Sequence, residues 1–163
     1  MRTIIFMLVI SGFVEIDKSG AEILAIKAAI QQETVSFYSV DYLQWQRCWI
    51  HEPHAFWSYA DSTGASFSSG WSSIDDFFQE YFKTQNKFSA GELKASRRRS
   101  EFMIERDWQE IRLYGDAAYV RYVQRIYDEN IDRDETEQIR VLEKHEGKWL
   151  IAYAGALARY PAE

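Results

Sequence analysis

The stretch WIHEPHAFWSYA, residues 49–60, brings two histidines, a glutamate, two tryptophans and a tyrosine into twelve positions. Imidazoles are common metal ligands, and aromatic rings commonly line apolar pockets. His51 and His54, however, are three residues apart with Pro53 between them, so they cannot share a helical face, and no third histidine is close in sequence. The sequence therefore predicts no metal site. It predicts a ligand-binding pocket wall, made by Trp49, His54 and Trp57, although a hydrogen-bonded structural role for His54 is the alternative.

Glu33 is the first candidate for chemistry. It lies at the flank of an apolar stripe that includes Ile26 and Ile30. Burial disfavours a charged carboxylate unless a cation or a hydrogen-bond donor is close, and this is the environment of a general acid or base. Glu33 is therefore the candidate catalytic residue. The alternative is a residue at the edge of the helix whose carboxylate reaches solvent.

Arg140 is the second candidate, and the geometry of a β-hairpin predicts which residue it faces. If residues 146–147 form a two-residue turn, residues that face each other across the hairpin have numbers with a constant sum, so Arg140 should face Tyr153. A buried arginine needs a partner, and Glu33 or a ligand oxygen is the natural one. The alternative is that another subunit or solvent covers this face. The apolar residues predicted to share it are Leu142, Trp149 and Ile151.

The hydrophobic periodicity predicts three helices that would position these side chains. The first begins after Gly20 and ends near Val40. A second, shorter helix, capped by Asp41, carries Trp45 and Trp49. A capping box at residues 73–76 opens the third helix, whose apolar stripe is rich in aromatic rings.

Alternating patterns predict the strands. One strand is expected over residues 55–59, and two hairpins are expected over residues 102–127 and 137–157. The sequence therefore predicts an α+β fold in which three N-terminal helices pack on one face of a strongly curved antiparallel sheet.

Length and composition limit the classes of protein. A chain of 163 residues with 47% hydrophobic and 16% aromatic residues suits one globular domain, expected over residues 21–163. The net charge of −6 argues against nucleic-acid binding through a basic face. The single cysteine, Cys48, excludes an internal disulfide.

Residues 1–20 contain an apolar run, Thr3 to Ile10, that is too short to span a bilayer, so no membrane insertion is expected. The run resembles the apolar part of a signal peptide, but no Ala-x-Ala cleavage site follows. An exported or periplasmic protein and a cytoplasmic protein both stay open. If the run is not a signal peptide, it is an N-terminal strand or an arm that contacts a partner.

Four segments occur in the order Asp41–Tyr59, GWSSI at 70–74, GDAAYV at 115–120 and RVLEKHEGKW at 140–149. Together they resemble the nuclear transport factor 2 family, and the resemblance extends over residues 21–160. Within the family the chain is most similar to bacterial polyketide cyclases and ketosteroid isomerases. The resemblance implies a cone in which a curved sheet wraps the helices and leaves a pocket, and it implies a homodimer that pairs through the sheet.

The catalytic set of the ketosteroid isomerases does not transfer to this sequence. By resemblance, the general base would stand at Trp57 and the oxyanion donor at Glu33. Indole cannot accept the proton, and an ionised carboxylate has no hydrogen to donate. No cofactor is expected.

Three functional hypotheses follow. The first is a small-molecule-binding protein, or an enzyme without a cofactor, whose ligand is apolar or ring-containing and carries a carbonyl or carboxylate. The second is an acid–base isomerase or cyclase with Glu33 as base and Tyr153 or His54 as donor. The third is a non-enzymatic oligomerisation module. The first hypothesis places six residues around one cavity: Glu33, Trp45, Trp49, Trp57, Arg140 and Tyr153.

Overall fold

A computed structural model describes residues 18–85, 102–128 and 131–159. Most of the N-terminal arm predicted over residues 1–20 lies outside them. The helices are α1 (Lys18–Tyr38), α2 (Tyr42–Gln46) and α3 (Trp71–Gln85). The strands are β1 (Phe56–Asp61), β2 (Gly64–Ser69), β3 (Met103–Tyr114), β4 (Ala117–Asp128), β5 (Ile131–His145) and β6 (Lys148–Ala158).

The six strands form one sheet in the order β2-β1-β6-β5-β4-β3. The α+β class and the two long hairpins are as predicted. Two details of the prediction are wrong. A short β1–β2 hairpin separates α2 from α3, and the sheet is mixed because β1 runs parallel to β6.

The junction between α2 and β1 brings Trp49 to the sheet. Asp41 caps α2 as predicted, since its carboxylate accepts the backbone N–H of Gln44 at 3.1 Å. The helix nevertheless ends at Gln46, because the chain turns to pair with β6 through the amide of Ile50 and the carbonyl of Ile151, 3.0 Å apart. The prediction that Trp49 lies on a helix is therefore wrong: it forms an isolated bridge with Ile151.

The core lies between the helices and one face of the sheet. Ile26 and Ile30 of α1 are completely buried, in agreement with the predicted stripe. The aromatic stripe of α3 packs beside them, with Phe78 and Phe82 almost fully buried. Among the described helices, none is both long and apolar enough to cross a bilayer.

A β-bulge in the second hairpin corrects one predicted pairing. Leu142 pairs with Ile151, as expected, but the next pair is Val141 with Tyr153, which leaves Ala152 as an extra residue in β6. Because side chains alternate along a strand, one extra residue moves Tyr153 to the opposite face of the sheet from Arg140. Arg140 pairs with Ala154 instead.

Candidate functional site

The polar side chains of the core form a patch on the helix-facing side of three neighbouring strands. The pairing register places them in lateral rows, since paired residues of adjacent strands point to the same face. One row joins Arg106, Gln124 and Thr136, and the next joins Trp108, Tyr122 and Gln138. The third row contains Val120, Arg140, Ala154 and Trp57.

Glu33 and Arg140 meet in this patch. The Glu33 Oε2 atom lies 3.6 Å from the Arg140 Nη2 atom, and both side chains are only 8% exposed. The distance exceeds that of a charge-assisted hydrogen bond, about 2.7–2.9 Å, so the two groups form an ion pair that is not tightly closed. Trp45 donates its indole N–H to Glu33 Oε1 at 3.2 Å.

Neutral acceptors satisfy most of the remaining Arg140 guanidinium. Its Nη1 atom donates to Gln138 Oε1 at 2.7 Å and to the carbonyl oxygens of Ile139 and Gly155 at 3.2 and 3.3 Å. Burial acts to lower the pKa of Arg140, but its surroundings, including Tyr122 and the Glu33 carboxylate, outweigh that effect and raise the pKa. Arg140 is therefore cationic and held on several sides.

Arg106 is the second guanidinium of the patch, and it lies nearer the rim. Its Nε atom donates to Gln124 Oε1 at 3.0 Å, and its Nη1 atom donates to Gln31 of α1. Burial lowers the pKa of Arg106, in contrast to Arg140.

Tyr122 lies between the two guanidinium groups and is fully buried. The Arg106 and Arg140 Cζ atoms lie 5.6 and 5.9 Å from the centroid of its ring, and Trp108 packs on the ring at 4.9 Å. Burial raises the pKa of the Tyr122 hydroxyl, so this group is protonated at neutral pH and can donate a hydrogen bond.

Four buried polar atoms of the described residues have no hydrogen-bond partner. They are Trp49 Nε1, Arg106 Nη2, Tyr122 Oη and Arg140 Nε. Arg106 and Tyr122 are neighbours whose interaction acts to raise the pKa of Arg106 and to lower that of Tyr122, but Nη2 and Oη form no hydrogen bond of regular geometry. Three of the four atoms belong to the patch, and each of the four can donate a hydrogen bond. The patch therefore has unused donors and a formal excess of positive charge, because two guanidinium groups face one carboxylate.

Helix α1 carries Glu33 near its C-terminal end, and a separate contact fixes the helix near its N-terminal end. Glu22 accepts a hydrogen bond from Trp149 Nε1 at 2.7 Å and another from Lys144, both on the β5–β6 hairpin. These hydrogen bonds lower the pKa of Glu22, and the one from Lys144 has the larger effect.

The predicted aromatic wall is only partly assembled. Trp45 and Trp49 contact each other with ring centroids 5.6 Å apart, and both are almost fully buried. Trp57 lies on the same sheet face as Arg140 but two strands away, about 10 Å across the sheet. Its ring packs on Phe77 and Phe78 of α3, both at 5.1 Å, so it belongs to the aromatic core.

His54 and Tyr153 do not belong to the patch. His54 lies at the surface with its side chain 58% exposed, and its Nε2 atom is 3.0 Å from the carboxylate of Glu143. Tyr153 faces the opposite side of the sheet, where its hydroxyl is 3.1 Å from Ser58 Oγ. The predicted acid–base pairs of Glu33 with His54 or Tyr153 are therefore wrong.

The cavity found among the described residues lies on the sheet face opposite the helices. It has a volume of about 390 Å³ and is lined by Phe56, Ser58, Phe67, Ile139 and Tyr153, among others. Of the six residues predicted to surround one cavity, Tyr153 alone lines it. The prediction of one cavity for all six is therefore wrong, because the bulge separates Tyr153 from the others.

His51 is occupied by a structural role in the described structure. Its ring stacks on Trp71 with centroids 4.1 Å apart, and its Nε2 atom is 3.0 Å from the carbonyl oxygen of Gln46. Within the described residues, no group of three or more His, Cys, Asp or Glu side chains is arranged to hold a metal ion.

Sequence reasoning missed Arg106, Tyr122 and Gln138. The available signal was the alternation of β3, β4 and β5, which places a polar residue at core-facing positions of each strand. It could not be used, because an interior polar position is recognisable only when the register between strands is known.

No protein-family model matches the chain, and no curated protein matches it. Solved structures do match. The chain resembles a nuclear transport factor 2-like protein of unknown function from Shewanella oneidensis, with a TM-score of 0.59 and 12% identity over 83% of this chain and 98% of that one.

Two further structures agree. A protein of unknown function from Mycobacterium tuberculosis has a TM-score of 0.62 at 18% identity, covering 88% of this chain and 75% of that one. A protein of unknown function with a cystatin-like fold from Nostoc punctiforme has a TM-score of 0.56 at 12% identity, covering 86% of this chain and 93% of that one. The fold is nuclear transport factor 2-like. At these identities the likeness shows the fold alone.

Proposed function

We propose that this domain binds a small ring-containing molecule whose carbonyl or carboxylate oxygen enters the polar patch. The observation that carries the proposal is the set of unpaired donors around Tyr122. A buried donor without an acceptor costs about 1–3 kcal/mol, and a ligand oxygen would remove that cost. Trp108 packs on the Tyr122 ring next to these donors, and Trp45, which donates to Glu33, and Trp49, which contacts Trp45, add aromatic rings on the Glu33 side of the patch, as ligand-binding sites commonly do.

The rim of the patch supplies the route of entry for the ligand. Arg106 is only partly buried, and it is held there by hydrogen bonds to the neutral amides of Gln31 and Gln124. Gln31 is exposed on α1. Exchange of these hydrogen bonds with a ligand or with water would open the edge of the patch without breaking the Glu33–Arg140 pair.

The test of this proposal is Tyr122→Phe. The substitution removes an unpaired hydroxyl and keeps the ring, so the free protein should be as stable as the wild type or more stable. Affinity for a ring-containing acid such as benzoate, followed through the fluorescence of the nearby tryptophans, should fall about tenfold. Tyr153→Phe is the matched control, because it removes a hydroxyl on the opposite face and should leave the affinity unchanged.

The outcome that contradicts the proposal is equally clear. If Tyr122→Phe binds benzoate and related ring-containing acids and ketones as the wild type does, the patch is not the ligand site. If the wild type binds none of them at millimolar concentration, the domain does not have the proposed function.

A place among the polyketide cyclases and ketosteroid isomerases is a further proposal, supported by the shared fold and by the order of the four segments.

We also propose that the chain forms a homodimer through the outer face of the sheet, as an oligomerisation module would. The support is the apolar groove on that face, together with the exposure of Phe67 (72%) and Leu157 (55%). Light scattering should give the mass of a dimer at micromolar concentration, and Phe67→Asp should lower it. A wild-type monomer under those conditions would refute the dimer.

A further inference from the structure

The two guanidinium groups of the patch differ in how their charges are compensated. Arg140 lies 3.6 Å from the carboxylate of Glu33. Arg106, within the described part of the chain, donates only to the neutral amides of Gln31 and Gln124. Two charges have therefore been moved away from water beside a single carboxylate. Glu33 forms its ion pair with Arg140, whereas Arg106 forms none with a described carboxylate and is affected by the more distant charge of Glu33.

A third cation adds to this imbalance. The Lys27 Nζ atom of α1 lies 5.1 Å from the ring centroid of Trp108, and the Arg106 guanidinium lies 5.8 Å from the same ring. Lys27 and Arg106 thus approach one tryptophan at the rim of the patch. Three cationic side chains and one anionic side chain leave this region with excess positive charge, although the whole chain has a net charge of −6.

The pKa values of the two arginines agree with the geometry. Burial lowers the pKa of Arg106, while the pKa of Arg140 is raised in spite of complete burial. At Arg106, burial outweighs the opposing effects of Tyr122 and Glu33, whereas at Arg140 Tyr122 and the adjacent Glu33 carboxylate outweigh burial. An anion placed beside Arg106 would restore the balance.

We infer that the ligand of this site is a carboxylate anion and that Arg106, with the Tyr122 hydroxyl, is the pair that binds its charge. This inference rests on the proposed function and narrows its ligand from a carbonyl or carboxylate to a carboxylate alone. Arg106 Nη2 and Tyr122 Oη are both buried and unpaired, and the guanidinium lies 5.6 Å from the tyrosine ring. The two oxygens of a carboxylate suit two separate donors.

The inference also assigns Arg140 a different task. Its Nη1 and Nη2 atoms are engaged by Gln138, by two backbone carbonyls and by Glu33, so only Nε is free. Arg140 orders the interior of the patch, and Arg106 discriminates between charged and neutral ligands. A neutral amide of the same shape would leave the Arg106 charge uncompensated and should bind more weakly.

Benzoate and benzamide test this directly, because they share shape and differ in charge. The probes would be titrated into the full chain while tryptophan fluorescence is recorded, with isothermal calorimetry as a second readout. Wild-type protein should bind benzoate at least about 30-fold more tightly than benzamide. Arg106→Gln should remove that preference by weakening benzoate about 30-fold while leaving benzamide unchanged.

Two further variants act as controls. Arg106→Lys keeps the charge and should retain a preference for benzoate. Arg121→Gln removes an arginine from the neighbouring strand at an exposed position on the opposite face, and it should bind both probes as the wild type does. Circular dichroism would verify that each variant is folded.

The outcomes separate this inference from the proposed function. Equal affinity of the wild type for benzoate and benzamide would overturn the inference and leave a ligand site in place, as would an Arg106→Gln variant that keeps the benzoate preference. Absence of binding by either probe would overturn both. If Arg106→Gln does not fold, the affinities of the wild type and of Arg106→Lys for the two probes decide the question. A ratio of benzoate affinity to benzamide affinity near one in these two proteins overturns the inference.

Discussion

Glu33→Gln should destabilise the protein substantially, because it leaves the Arg140 guanidinium in the core without its anionic partner. Both side chains of the pair are 8% exposed, so water cannot replace the lost carboxylate. Removing one partner of a buried pair costs about 3–5 kcal/mol. The lower end applies here, since the amide oxygen introduced by the substitution can still accept the hydrogen bond from Trp45 that Glu33 Oε1 accepts now.

A loss of about 3 kcal/mol in the free energy of unfolding corresponds to a fall in Tm of about 6–12 °C for a domain of this size. Urea unfolding followed by tryptophan fluorescence measures the free energy, and calorimetry measures Tm. Glu80→Gln is the matched control. Glu80 forms an ion pair with Lys83 at 3.8 Å, but its side chain is 72% exposed, so its loss should cost less than about 0.5 kcal/mol.

A double-mutant cycle makes the test specific to the pair. Glu33→Gln and Arg140→Gln should each be costly, and the double variant should cost less than the sum of the two by about 1–3 kcal/mol. If Glu33→Gln alone costs no more than Glu80→Gln, the Glu33–Arg140 pair does not hold the core of the patch together, and the description of the site is wrong.

Three more predictions concern other parts of the molecule. Burial, with a smaller effect from the Glu33 charge, raises the pKa of Cys48 to about 12, so its thiol should resist iodoacetamide at pH 8.5 in the native protein and react once urea unfolds it; rapid native alkylation would contradict this. Gly155→Ala should cost about 1–3 kcal/mol, because a Cβ there would lie 2.2 Å from the Tyr153 hydroxyl, and the cost should largely vanish in a Tyr153→Ala background; equal costs in both backgrounds would show that the ring is not the obstacle. Partial burial opposes ionisation of Glu143, but hydrogen bonds from two histidines outweigh this effect and lower the pKa of Glu143 from the ordinary 4.5. The stabilisation by ionised Glu143 is therefore present above that pH and is lost as the pH falls below it, so Tm should drop more steeply in acid for the wild type than for Glu143→Gln. Parallel curves of Tm against pH would contradict this.

The sequence predicted the elements of the fold well, because periodicity is a local property. The stripe with Ile26 and Ile30, the cap at Asp41 and the two long hairpins all depend on residues close in the chain. The sheet order was not predictable in the same way. Parallel pairing of β1 with β6 joins residues about a hundred positions apart, and no local pattern records it.

The site was predictable only in part for the same reason. The need of a buried arginine for a carboxylate led from Arg140 to Glu33, and the structure places these two side chains together. The bulge at Ala152 then reversed the face of Tyr153, since a single extra residue inverts the alternation and leaves no mark in the hydrophobic pattern. Arg106 and Tyr122 could be recognised only from the three-dimensional register.

A crystal structure of the protein grown with benzoate would show on which face of the sheet a ring-containing acid binds. Ligand density is expected on the helix side of the sheet, with carboxylate oxygens within about 3 Å of the Tyr122 hydroxyl and the Arg106 guanidinium. Density in the groove between Phe56 and Tyr153 on the outer face, with the polar patch unchanged, would contradict it.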